Sequence, residues 1–149
     1  MCKLGDIIVI KEFKNEVGEI VKKHSFVVVS DEKNEIEGLN YDFVSNMLCS
    51  FHSDEHKQRK LSFKENLEIK RYLIIGENLN NKDSYVKADQ LYFFDKSNIN
   101  YKVIAKLNRN YLDYLIRLTM ILKKEGKVKI ITTNLNEKVG DGIDLINII

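Results

Sequence analysis

The chain of 149 residues contains no proline and no tryptophan, and only two cysteines and seven glycines. The missing proline and tryptophan accompany an abundance of lysine, asparagine and isoleucine, which is the mark of A/T-rich codon use and says nothing about function. The two thiols, Cys2 and Cys49, lie far apart with no metal-ligand spacing, one at the N-terminus and one inside an apolar run. That pattern gives no cysteine-based metal site and fits reduced thiols in a cytoplasmic protein. No apolar stretch approaches the roughly 20 residues needed to span a bilayer. Met1 to Lys3 lead straight into a strand-like run, so no signal peptide is expected. Also missing are a nucleophile elbow, a P-loop, a dinucleotide fingerprint, internal repeats and low-complexity segments. Charge of one sign is lacking as well: 24 Lys and Arg against 22 Asp and Glu leave a formal net charge of +2. An anionic partner must therefore be read from local patches and not from the whole.

What is present is enough for one folded domain. Hydrophobic residues make up 44% of the chain and charged residues 31%, the balance of a soluble globular domain with a buried core. Asp6–Glu12 and Ser25–Ser30 read as two apolar strands, with Ile7-Ile8-Val9-Ile10 apolar on both faces and Phe26-Val27-Val28-Val29 too short for a helix. Lys11 to Lys23 reads as a charged loop ending in Lys22-Lys23-His24. Asp42–Phe51, Leu61–Ile69, Arg71–Ile75 and Tyr101–Leu107 read as further strands, and Tyr85–Phe94 as a strand or a strand followed by a turn. Asp31–Asn40, His52–Lys60 and the asparagine-rich Glu77–Asp83 read as polar loops or turns. One helix is expected over Asn110–Glu125, with Asn110 as N-cap, Asp113 in the first turn, Lys123 and Lys124 in the last, and Gly126 ending it. The apolar tail, residues 127–149, reads as a strand or hairpin added to the sheet. Many short strands and one helix indicate a β-rich α+β fold, a small and partly open β-barrel.

Gly5-Asp6-Ile7-Ile8-Val9, Val17-Gly18 and Phe26-Val27-Val28-Val29-Ser30-Asp31 resemble the opening of the MazF/PemK/Kid toxins of type II toxin–antitoxin systems. Lys87-Ala88-Asp89-Gln90-Leu91, followed by Phe94-Asp95-Lys96-Ser97, is similar to that family's second signature. The resemblance covers roughly residues 1–126 and leaves 127–149 outside. It implies an SH3-like β-barrel with a C-terminal helix, a homodimer, and a metal-independent, cofactor-free endoribonuclease that cleaves single-stranded RNA and is neutralised by an antitoxin. The family's arginine before the second strand falls at His24, the proline after it at Ser25, the threonine closing the third strand at Ser50, and an acidic loop residue near Glu19. The absent Arg-Pro pair motivates an alternative from the same resemblance: a non-catalytic RNA- or protein-binding module, or a gyrase poison like the related CcdB.

The chemistry can be argued from the side chains. RNA is cut without metal when its 2′-hydroxyl is deprotonated and attacks the adjacent phosphate, which takes a base, an acid for the leaving 5′-oxygen, and donors to the phosphate. His24, with an ordinary pKa of about 6.5, suits either proton-transfer role. Lys23 and Ser50 are candidates to stabilise the phosphate, and Lys22, Glu19, Lys57, Arg59 and Lys60 are candidate RNA contacts, the last three beside Phe51 and Phe63. The plain alternatives are a surface histidine, solvated lysines and a hydroxyl satisfied by backbone. His52, Asp54 and His56 have metal-ligand residue types but no further clear ligand, so no metal is expected. Asp89 and Gln90 read as supports of the barrel through hydrogen bonds.

Overall fold

A computed structural model of the protein describes residues 2–33, 39–76 and 83–135. The elements are β1 (Asp6–Lys14), β2 (Ile20–Ser30), β3 (Phe43–Ser50), α1 (Asp54–Leu61), β4 (Asn66–Ile69), β5 (Ile74–Ile75), β6 (Ser84–Lys87), β7 (Gln90–Phe94), β8 (Tyr101–Leu107), α2 (Arg109–Lys124) and β9 (Lys129–Ile131). Single turns of 3₁₀ helix cover Arg71–Leu73 and Lys96–Asn98. The fold is therefore β-rich α+β, as the sequence indicates, with nine strands among the described residues in one largely antiparallel sheet. Among the described residues no helix is long and apolar enough to cross a membrane.

The strands run in the order β4-β6-β3-β2-β1-β8-β5, while β7 pairs with β3 and β9. β4 and β5 therefore end opposite edges of a seven-strand path, yet only Lys70 to Leu73 separate them in sequence. A flat path of that width spans about 29 Å at roughly 4.8 Å per strand. The five residue steps from Ile69 to Ile74 reach about 17 Å at most. The sheet must curl for so short a connection to join its two edges.

Curling divides the apolar side chains between two faces. Ile8, Ile10, Phe26, Val28, Phe43, Met47, Cys49, Tyr85, Tyr92 and Phe94 form one core on the inner face. Ile7, Val27, Leu48, Val86, Ala105 and Leu107 form another on the outer face, beneath Leu112, Leu115 and Leu122 of α2. Gly5 lets the outer layer close: its φ is +87°, and a Cβ there would stand 3.1 Å from Leu112 Cδ2.

Several sequence expectations change. Both hairpin strands run further than expected, so Lys22, Lys23 and His24 lie within β2 and not at the end of a loop. The ladder continues through Glu12–Lys22, Phe13–Val21 and Lys14–Ile20, and Asn15 closes the hairpin by accepting from the N–H groups of Val17 and Glu19. Phe13, buried at 3% exposure, anchors a stretch whose charges made it look like a loop.

His52–Lys60, expected as a loop, contains α1. Ser53 caps it by accepting from the His56 N–H at 3.1 Å, and Asp54, Glu55, Arg59 and Lys60 complement its dipole. That helix shortens the following strand to Asn66–Ile69, and Arg71–Leu73 is 3₁₀ helix. α2 is capped by Asn108, whose Oδ1 accepts from the Tyr111 N–H at 3.1 Å, and not by Asn110. Asp113 lies beyond the first turn and pairs with Arg109 at 3.8 Å. At the other end Gly126, with φ +70°, turns the chain so that the Lys127 N–H reaches the Leu122 carbonyl.

The segment after α2 joins the sheet as β9, which runs parallel to β7 instead of forming a hairpin of its own. Asn134 then clasps the end of β1, accepting from the Lys14 N–H at 2.7 Å and donating to the Lys14 carbonyl at 2.9 Å. The expected turn at Gly140-Asp141-Gly142 and apolar run Leu145–Ile149 lie outside the described residues, as does most of the Glu77–Asp83 turn.

Candidate nucleic-acid interface

β2 and β3 bring His24 against Cys49. Their register pairs Ser25 with Leu48, and one step further His24 Nε2 stands 3.5 Å from Cys49 Sγ. The imidazole is half-buried, edge-on to Phe13 and Phe26 at centroid separations of 6.4 and 6.2 Å. Burial lowers its pKa below the usual histidine value, the Lys87 ammonium lowers it further, and a backbone hydrogen bond at Leu48 opposes both. His24 is accordingly neutral at pH 7. Burial holds Cys49 as a thiol with a raised pKa. Burial and the neighbouring Cys49 push the Tyr85 hydroxyl up to about 12. His24, Cys49 and Tyr85 thus form a chain of neutral groups at the rim of the inner core.

Ser50 and Lys23 are not part of that cluster. Adjacent residues of a strand face opposite ways, so Ser50, next to Cys49, and Lys23, next to His24, turn towards the outer face, where both are exposed. Lys11 does the same on β1, next to the buried Ile10. The pairs Ile10–His24 and Glu12–Lys22 bracket Lys11 and Lys23, and the ladder lapses for that one rung. Beyond it Phe13 returns to the inner core three residues after Ile10, so the alternation slips where the two lysines meet. Lys22 pairs with Glu12 at 3.2 Å. Glu19 sits at the hairpin tip, five residues along β2 from His24, or about 16 Å of strand.

The cations of α1 divide similarly. Lys57 is held by Glu68 at 3.1 Å and Asp83 at 3.7 Å, and its ammonium lies 5.6 Å from the centre of the Phe51 ring. Phe51 stacks on Tyr85 at 5.0 Å, so α1 leans on the rim that carries His24 and Cys49. Arg59 and Lys60 make no ion pair among the described residues. Phe63, expected to flank this cluster, is 48% exposed.

His52 and His56 lie 4.6 Å apart between ring centres, but His56 Nδ1 accepts from the His52 N–H. No group of three or more His, Cys, Asp or Glu among the described residues is placed to hold a metal ion. Asp89 and Gln90 bound the turn between β6 and β7, where Asn46 donates to the carbonyls of Lys87 and Gln90 at 3.2 and 2.8 Å. Asp89 offers its own carbonyl to the Lys129 N–H at 2.7 Å.

Three groups escaped sequence reasoning: Cys49, which touches His24, Tyr85, which stands beside Cys49, and Lys11, which joins Lys23. Only the strand register reveals them. No family model, curated protein or solved structure matches the chain.

Proposed function

We propose that the chain is a MazF/PemK-like toxin, an SH3-like barrel that acts in the cytoplasm as a homodimer, cleaves single-stranded RNA without metal, and is silenced by a cognate antitoxin. The observation that carries this reading is the state of His24: a half-buried imidazole, neutral at pH 7, against Cys49 at the rim of the inner core. As base it takes the 2′-hydroxyl proton. The 2′-oxygen then bonds to phosphorus, and the 5′-oxygen departs with a proton from an acid, leaving a 2′,3′-cyclic phosphate and a free 5′-hydroxyl. The curl of the sheet and the single helix packed on its outer face support the barrel. Incubating the folded protein with a long RNA in EDTA tests the reading. Cyclic-phosphate ends are expected, and are lost in His24→Ala. An intact RNA, or undiminished cleavage by the variant, removes the ribonuclease.

A second reading, a non-catalytic binder on the same barrel, is favoured by the separation of His24 from Ser50 and Lys23 onto opposite faces. Under it the same assay leaves RNA whole, while an oligonucleotide still binds.

A further inference from the structure

The outer face of the sheet has a region that no element described above uses. Four consecutive strands contribute to it. Lys102 of β8 stands opposite Val9 of β1. Lys11 lies two residues beyond Val9 on β1, Lys23 lies beside it on β2, and Ser50 ends β3. All four side chains are exposed, and they follow one another across three strand spacings, about 14 Å. Ser25, opposite Val9 and half-buried, adds a second hydroxyl behind them. α2 covers the neighbouring part of the same face over Ile7, Val27 and Leu48.

Charge placement here runs against folding stability. Lys11 and Lys23 stand at one level of two neighbouring strands, where like charges destabilise. Neither they nor Lys102 has an ion-pair partner among the described residues. The adjoining rung is complementary, Glu12 bonding Lys22 at 3.2 Å, and Lys64, Lys127 and Lys129 all have carboxylate partners. Three ammonium groups without an ion-pair partner among the described residues, with hydroxyls between them and the neighbouring Glu12 carboxylate taken up by Lys22, match a row of phosphates. Lysine binds these as a point charge, without the bidentate fork that arginine uses.

We propose that Lys102, Lys11, Lys23 and Ser50 form a track for the phosphodiester backbone of a single-stranded nucleic acid, running across β8, β1, β2 and β3 on the face that bears α2. The track rests on the RNA reading above and gives that reading a binding surface separate from His24. Its contacts are to phosphate, so it is indifferent to base sequence.

The test is fluorescence anisotropy with a labelled 2′-O-methyl oligouridylate, which lacks the hydroxyl needed for cleavage. The triple variant Lys11→Gln, Lys23→Gln, Lys102→Gln is compared with Lys64→Gln, Lys127→Gln, Lys129→Gln, which loses the same net charge elsewhere. Each phosphate contact on a single strand contributes about 0.7 to the slope of log K against log salt. The first triple is expected to lower that slope by about 2 and to weaken binding roughly tenfold or more at moderate salt. The second is expected to bind as the unaltered protein does. An unchanged slope in the first triple, or an equal loss in the second, overturns the track. Tighter binding of a poly-glutamate peptide than of the oligonucleotide reassigns it to an acidic protein segment and also overturns it. Because cleavage has no part in this readout, a protein that binds but does not cut leaves the track standing and removes only the ribonuclease.

Discussion

His24 Nε2 lies 3.5 Å from Cys49 Sγ, between two strands whose residues are 25 positions apart in sequence. Burial there keeps the imidazole neutral, and the sign of its pKa shift fixes how stability follows pH. The folded pKa is lowered, so as pH falls the unfolded chain takes up this proton first. Stability is full above the unfolded value of about 6.5 and is lost as pH drops below it. Urea unfolding between about pH 7.5 and about pH 5.5 should show the unaltered protein losing more stability than His24→Gln, which has no proton to gain. Parallel losses would mean that His24 titrates as an ordinary exposed histidine.

Asn46 should be among the most sensitive positions. It is fully buried in the middle of β3, where its amide donates to both carbonyls flanking the Ala88-Asp89 turn. Asn46→Leu leaves those acceptors without their donor, at a cost of about 2–4 kcal/mol. A shift of less than about 0.5 kcal/mol in urea unfolding would show that the turn satisfies its carbonyls another way.

The parts of the fold that could be read from sequence are those in which one pattern decides the structure. β8 alternates and α2 carries a wide apolar stripe, and both lie within a residue or two of their expected positions. The far half of the β1–β2 hairpin could not be read in this way, because its charges mimic a loop and only Phe13 and Val21 tie it to the core. α1 buries no residue, so no apolar periodicity marks it, and its cap and end charges were the only signals. The surroundings of His24 were hidden for a different reason. Which residue of β3 stands beside it depends on register, and a slip of one position would have put Ser50 there instead of Cys49.

The same register argument makes Lys11 a position where stability and binding oppose each other. Lys11→Glu places a carboxylate beside Lys23 and turns repulsion into an ion pair, with an expected gain of about 0.2–1 kcal/mol. The same change should weaken oligonucleotide binding more than Lys11→Gln does. Thermal unfolding and anisotropy on one preparation check both effects. A variant that is less stable than the unaltered protein would show that Lys11 and Lys23 do not face one another.

Asn134 should prove structural although it lies outside the stretch that resembles the toxins. Its side chain satisfies both the N–H and the carbonyl of Lys14, and its own carbonyl accepts from Asn98 at 3.0 Å. Asn134→Ala removes two bonds from the end of β1 and should cost about 1–3 kcal/mol. Amide hydrogen exchange should quicken at Lys14 before it quickens in the middle of β1. Unchanged protection at Lys14 would mean that the clasp does not hold the hairpin.

The N-cap of α2 falls on Asn108 and not on Asn110, the cap expected from sequence. Asn108 and Asn110 are both acceptable N-caps, and Asn110 looks better placed because the apolar stripe begins just after it. The helix instead starts at Arg109, with Asn108 Oδ1 accepting from the Tyr111 N–H. The Asn108 N–H donates to the Leu73 carbonyl at 2.7 Å, which ties the cap to the short connection between β4 and β5. That tertiary bond decides between the two, because starting the helix at Asn110 would leave Leu73 without a donor and shift Leu112 off Gly5. Asn108→Ala should therefore cost about 1 kcal/mol, whereas Asn110→Ala, at an exposed helical position, should stay within about 0.5 kcal/mol of the unaltered protein. Urea unfolding of the two variants side by side checks the assignment, and the reverse order would move the cap to Asn110.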